Sequence, residues 1–253
     1  MLNYIEYGTA TPARPLIIAH GLYGSGRNWG VIAKRLADTR HVITPDMRNH
    51  GHSLRHKDHS YPALANDLGE LATHLGAPVD LCGHSMGGKA AMALALTQPD
   101  LIGKLIIADI APVAYTHSQQ PMIDAMRSVD LTTLTRRSDA TTQLAAAGID
   151  PALQSFFTQS LDVASKSWRL NLDALQDQMP QIMGWPASLS TPFSGPTLFL
   201  SGARSDYVLP EHRSHIKTLF PNARFAKIPN TGHWLHAEQP RHFEAALRRF
   251  LDA

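Results

Sequence analysis

The chain contains a single cysteine, Cys82, among 253 residues. No disulfide can form within it, so a small disulfide-stapled fold is excluded. Charge of one sign is also lacking: 23 Lys and Arg stand against 21 Asp and Glu, a formal net charge of +2. No Lys/Arg block breaks that balance, which argues against nucleic acid as a partner. No apolar run approaches the roughly 20 residues needed to span a bilayer, so no membrane partner is expected. The opening Met1-Leu2-Asn3-Tyr4-Ile5-Glu6 lacks the charged-then-apolar order of a secretory signal. A cytoplasmic setting is the expectation. Internal repeats and low-complexity tracts are absent.

What is present is a substantial core: 43% of the residues are hydrophobic and 17% charged. Short apolar runs bounded by Gly, Pro or Asp alternate with longer helical patterns. Leu16–Ala19, His41–Thr44, Val79–Cys82, Leu105–Ala108 and Thr197–Leu200 read as strands, and such near-continuous apolar runs suit parallel strands buried on both faces. Asn3–Tyr7 and Arg224–Ile228 add an edge strand and a late strand, while Trp29–Ala37, Leu64–Leu75 and Ala90–Gln98 read as crossover helices. The result is an α/β sheet. From about Val113 to Pro192 the alternation stops and only helical patterns remain. Residues 1–112 and 193–253 are therefore expected to form the core, with 113–192 a helical cap inserted after the strand ending near Asp109.

The most informative segment is Gly83-His84-Ser85-Met86-Gly87, with an apolar strand before it and the small-residue helix Gly88–Leu94 after it. Strand, G-x-S-x-G, helix is the context of a nucleophile elbow. A serine on so sharp a turn leaves no room for side chains at the flanking glycines. The helix N-terminus then aims unpaired N–H groups at whatever bonds the serine oxygen.

A serine needs a base. Of fourteen histidines, His233 in Asn230-Thr231-Gly232-His233-Trp234 is best placed, after the last strand and before the final helix. His236 beside it reads as a packing or loop-supporting residue. The base needs a carboxylate to hold its tautomer, and two offer themselves. Asp206 follows the penultimate strand and preserves the order Ser, Asp, His, whereas Asp109 ends the strand before the cap. The residues leave that choice open. An oxyanion would rest on the amides of Met86 and of Leu22, the latter in His20-Gly21-Leu22-Tyr23-Gly24-Ser25.

No cofactor is expected: no Walker lysine follows Gly21, Gly24 and Gly26, and no G-x-G-x-x-G opens a helix. His50, His52, His56 and His59 match no zinc-binding spacing. They read instead as a mobile polar loop beside the crevice, with no metal.

Assembled, these residues resemble the α/β hydrolase superfamily along nearly the whole chain. More narrowly, the chain resembles the YbfF-type acyl-CoA esterases. The narrower marks are Arg48-Asn49-His50-Gly51 and Asp109-Ile110-Ala111-Pro112-Val113, beside the superfamily's own Gly21 and Ser85 motifs. The resemblance implies an α/β hydrolase fold and a cofactor-independent serine hydrolase of carboxylic esters or acyl thioesters, acyl-coenzyme A among them. It inclines the choice of acid to Asp109, since members often lack an aspartate after the penultimate strand. This sequence departs from them by carrying Asp206 as well. Carbon–carbon bond hydrolysis and perhydrolysis would use the same triad, and a slow, hydrolase-fold ligand receptor would retain it. Arg136, Arg137, Lys166 and Arg169 are candidates for a coenzyme A phosphate. The cap's Met122, Met126, Phe156, Phe157, Trp168, Met179, Met183 and Trp185 divide between acyl pocket and plain core.

Overall fold

The computed structural model describes the whole chain, residues 1–253. In chain order it forms β1 (Tyr4–Tyr7), β2 (Leu16–Ala19), α1 (Gly30–Leu36), β3 (Val42–Pro45), α2 (Tyr61–His74), β4 (Val79–His84), α3 (Met86–Thr97) and β5 (Ile102–Ala108). The chain then leaves the sheet for α4 (Gln120–Arg127), α5 (Arg137–Ala146), α6 (Pro151–Thr158), the short hairpin β6 (Leu161–Asp162) and β7 (Ser167–Trp168), α7 (Leu172–Asp177) and α8 (Met179–Met183). It returns as β8 (Thr197–Gly202), α9 (His212–Leu219), β9 (Ala223–Ile228), α10 (Leu235–Glu238) and α11 (Pro240–Leu251).

Seven strands share one sheet in the order β1-β3-β2-β4-β5-β8-β9. Only β1 runs antiparallel, against β3; the other neighbours are parallel. This is the mostly parallel, helix-flanked sheet of the α/β hydrolase architecture. Alternate strand residues feed opposite faces, as the period-2 pleat requires. Ile17, Leu81, Leu105, Ile107 and Phe199 pack beneath α2, α3 and α9. Leu16, Ile18, Cys82, Ile106 and Leu200 pack against α1 and α11. Helix α11 presents Phe243, Leu247, Phe250 and Leu251 to that face, an i, i+4, i+7, i+8 stripe.

Several elements run slightly beyond their sequence signals, whereas α1 and β1 fall a residue short. Helix α2 starts at Tyr61 rather than Leu64 because Ser60 is extended (φ −68°, ψ 155°) and Pro62 sits in the first turn, where its missing N–H is harmless. Helix α3 starts at Met86, so Gly87 and Gly88 are helical. Gly87 is required there: a Cβ would lie 2.5 Å from the His20 carbonyl oxygen.

The stretch between β5 and β8 has its own apolar centre, built from residues such as Ile123, Met126, Leu144, Phe157, Trp168 and Leu175. Lys89 of α3 ties it to the sheet. Its Nζ donates to the carbonyls of Met183 (3.1 Å) and Gly184 (2.6 Å) at the end of α8, and it lies 4.8 Å from the centre of the Tyr115 ring. The side chain is buried and has no carboxylate partner, and that burial pushes the ammonium down from 10.5 to about 7.

Between those two values the unfolded chain holds a proton that the native state has released. This group's contribution to stability therefore rises with pH across that window. Lys89→Met removes the effect. The stability of the wild type relative to Lys89→Met, followed by denaturant unfolding from pH 7 to 10, is expected to grow by on the order of 1 kcal/mol per pH unit; a constant difference would show that the ammonium is already paired or solvated.

Candidate active site

The serine stands where β4 turns into α3. Ser85 has φ 52° and ψ −121°, a left-handed conformation that costs a non-glycine residue roughly 1–3 kcal/mol. Two things over-determine it. The Ser85 N–H donates to the Ala108 carbonyl at 3.1 Å, and a Cβ on Gly83 would lie 2.3 Å from the Gly87 carbonyl oxygen. The turn can close only because both flanking residues are glycines.

Around Ser85 the chain supplies candidate oxyanion donors. Met86 is the first residue of α3, so its N–H has no helical acceptor one turn back. Leu22 follows β2 in a loop whose Gly21 abuts the serine: a Cβ there would come 3.1 Å from that of Ser85. The Leu22 N–H donates to no acceptor in the protein. The loop is held from behind by buried histidines. The Met47 N–H donates to His20 Nε2 at 2.9 Å, and His20 Nδ1–H donates to the Gly21 carbonyl at 2.8 Å. The N–H of Tyr23, itself at φ 63°, donates to His50 Nε2 at 3.1 Å, and His50 Nδ1–H donates to the Arg48 carbonyl at 2.9 Å.

That arrangement corrects the expectation of a polar loop for His50 and His59, whereas His52 and His56 are exposed. His50 and His59 are each 1% exposed, interior groups rather than a solvated rim. Asn49 Nδ2 donates to His59 Nδ1 at 3.1 Å, leaving His59 Nε2–H to point at Met86 Sδ at 3.2 Å. Their ring nitrogens are spent on hydrogen bonds. The loop carrying them is pinned by Arg48, which grips Asp67 through both ends of its guanidinium and donates to the Asp58 carbonyl at 3.0 Å. The partners lie too far along the chain to be read locally.

His233 meets Asp109. Its Nδ1–H donates to Asp109 Oδ2 at 2.8 Å, which leaves the Nε2 lone pair free. Asp109, at φ 51°, is wholly buried, while the imidazole is 22% exposed: the carboxylate is dry and the ring reachable. The carboxylate also accepts the Gly202 N–H at 3.0 Å and the Ser205 hydroxyl, as a buried charge must to be tolerated. Asp206 is exposed and makes no hydrogen bond to His233. Of the two aspartates, the structure brings Asp109 to the imidazole and leaves Asp206 facing outward. Ser85 and His233 line one cavity of about 300 Å³. No hydrogen bond within 3.5 Å joins their reactive atoms, a looseness common in unliganded sites.

Three residues that sequence reading passed over complete the surroundings. His84 Nε2–H donates to the His233 carbonyl at 2.9 Å. Ser205 holds Asp109, and Tyr207 stacks on the His233 ring. Ser205 and Tyr207 flank Asp206 in the same short segment, so the loop at the superfamily position meets Asp109 and His233 through these two neighbours. His236 is stacked on Trp29, ring centres 4.2 Å apart, and burial pushes it down to about 3. Burial likewise holds His20, His50 and His84 below the ordinary histidine range.

Met122, Phe156, Phe157 and Met183 line the cavity. Met126, Trp168 and Met179 are spent on the insertion's own centre, and Trp185 packs on the main core. None of the four basic candidates is free. Arg136 pairs with Asp139, Arg169 with Asp162, and Arg137 and Lys166 donate to backbone carbonyls.

With the geometry in hand, likeness to known proteins becomes informative. The chain is 40% identical over 260 residues to the mouse sn-1-specific diacylglycerol lipase ABHD11, covering 98% of this chain and 84% of that one. It is 38% identical over 246 residues to Escherichia coli esterase YbfF, covering 94% and 93%. Among solved structures, a marine microorganism esterase superposes with a TM-score of 0.92 at 37% identity, covering 98% of both chains. Residues 14–240 match the family described as alpha/beta hydrolase fold, and the chain belongs to that family.

Proposed function

We propose that this protein is a cofactor-independent serine hydrolase of carboxylic esters, with Ser85 as nucleophile, His233 as base and Asp109 as the acid that orients it. The observation that carries the reading is the 2.8 Å bond from His233 Nδ1 to a fully buried Asp109. It fixes the tautomer whose Nε2 can take the proton of Ser85. Ser85 Oγ attacks the acyl carbonyl as that proton moves to His233, and the oxyanion settles on the Leu22 and Met86 amides. Each such donor is worth roughly 3–4 kcal/mol of barrier. His233 then protonates the leaving oxygen or sulfur and activates the water that clears the acyl-enzyme.

Residues 113–192 act in this reading as a cap over the cleft, their apolar side chains meeting the acyl group. A cavity of about 300 Å³ is at the small end of ligand sites, which favours one short or medium acyl chain, ester or thioester, with its leaving group outside. A cytoplasmic setting belongs to the same proposal, supported by the single buried thiol of Cys82.

Ser85→Ala is expected to lower kcat/KM for a p-nitrophenyl ester by roughly 10⁴-fold or more with the circular dichroism spectrum intact. Fluorophosphonate should label the wild-type serine; an ester bound but never captured covalently would point to a receptor instead. Asp109→Asn should cost roughly 10³–10⁴-fold in kcat, while Asp206→Asn should stay within about threefold of wild type; the reverse ranking would move the acid to Asp206. Because burial keeps His20, His84 and His236 neutral, none of these three should add a proton to the acid side of the kcat/KM profile, whose expected slope is one. A slope of two would mean that a second cleft histidine titrates.

A further inference from the structure

The ring of Tyr207 lies flat on that of His233, centroids 3.9 Å apart and planes 19° from parallel. No other aromatic neighbour of His233 stacks so closely; the His84 ring is 4.7 Å away and tilted by 40°. Tyr207 is fixed at both ends. Its carbonyl accepts the Tyr115 hydroxyl at 2.7 Å, and its N–H donates to Ser205 Oγ at 3.3 Å. Its own hydroxyl meets His117 Nε2 at 2.9 Å, a residue of the insertion rather than of the sheet. Burial, aided by Asp206 and Asp109, raises the phenol to about 12, so at working pH it remains an O–H donor.

An aromatic face attracts a cation placed over it. His233 becomes such a cation each time it takes the proton of Ser85. The other titratable groups around it are Asp109 from the end of β5, His84 from the end of β4 and His236 from α10. The first is already committed to Nδ1, and burial holds the two histidines neutral. Tyr207 is thus the group whose quadrupole meets the face of the imidazolium.

We propose that Tyr207 is a positioning residue for His233: its face holds the imidazole in plane for Ser85 and favours the protonated ring, and its hydroxyl anchors that alignment to the insertion through His117. This rests on His233 being the base. Loss of the face makes the protonated ring less favourable, which lowers plateau turnover. The same loss moves the acid limb of kcat/KM to lower pH, because the base then stays neutral further into acid. A residue that merely filled space would lower activity without moving the limb.

The test compares pH profiles of kcat/KM on p-nitrophenyl butyrate for wild type, Tyr207→Leu and Tyr207→Phe. Leucine still covers the imidazole from water but has no π face. For Tyr207→Leu the limb should move down by roughly half a pH unit and the plateau kcat fall about three- to tenfold. For Tyr207→Phe the limb should stay close to wild type. If the leucine variant does not fold, Tyr207→3,4,5-trifluorophenylalanine replaces it: the shape of phenylalanine is kept, the negative face is withdrawn, and the limb should fall below that of Tyr207→Phe. A limb that stays put or moves upward in Tyr207→Leu, or in the trifluorophenylalanine variant relative to Tyr207→Phe, overturns the inference, whatever happens to the plateau. If Ser85→Ala retains ester turnover, the esterase reading fails first and takes this inference with it; if Ser85 is essential and the limb does not move, only the role of Tyr207 is lost.

Discussion

A carboxylate stripped of water governs this site. Asp109 is fully buried, and an ion in that position costs several kcal/mol unless donors replace its hydration. They come from two strand ends besides its own: the Gly202 N–H and Ser205 from the end of β8 and the turn just after it, and His233 from the loop after β9. The ion's need for donors therefore gathers three strand ends around one point. Parallel order makes this possible, because β4, β5, β8 and β9 are consecutive neighbours whose carboxyl ends open onto the same crevice.

The same dry environment sorts the histidines. His20, His50, His59, His84 and His236 are held neutral by burial. All but His236 donate or accept hydrogen bonds that shape the loops beside Ser85 or His233; His236 contributes its stacked ring. His233 combines a carboxylate partner with access to the cavity, the pairing that a base cycling between neutral and charged forms requires. What decides a histidine's role here is exposure and partner, not proximity in sequence.

Two of the polar contacts between the insertion and the rest of the chain flank the cleft. Lys89, four residues after Ser85, reaches the end of α8; Tyr207, packed on His233, reaches His117. Displacement of the insertion would thus be felt on both sides of the cleft, at the first turn of α3 after Ser85 and at His233. The apolar cavity between them is bounded by side chains of both layers.

Much of this was legible in the residues alone. The strands were marked by apolar runs, the elbow by its glycines, and His233, the candidate base, by its place after the last strand, because steric limits at a turn and burial on a pleat act over a few neighbouring positions. The burial of His50 and His59 is not legible there, because their partners, Tyr23, Arg48, Asn49 and Met86, are mostly remote or backbone groups. Asp109 and Asp206 look equivalent in sequence, each just beyond a strand. The sequence by itself determined that a serine would stand on a strained strand-to-helix turn, since only local geometry is involved. Which carboxylate would meet His233, and that Tyr207 would cover it, was decided by tertiary structure alone: hydrogen bonding and stacking depend on how strand ends far apart in the chain are brought together, and no local pattern encodes that.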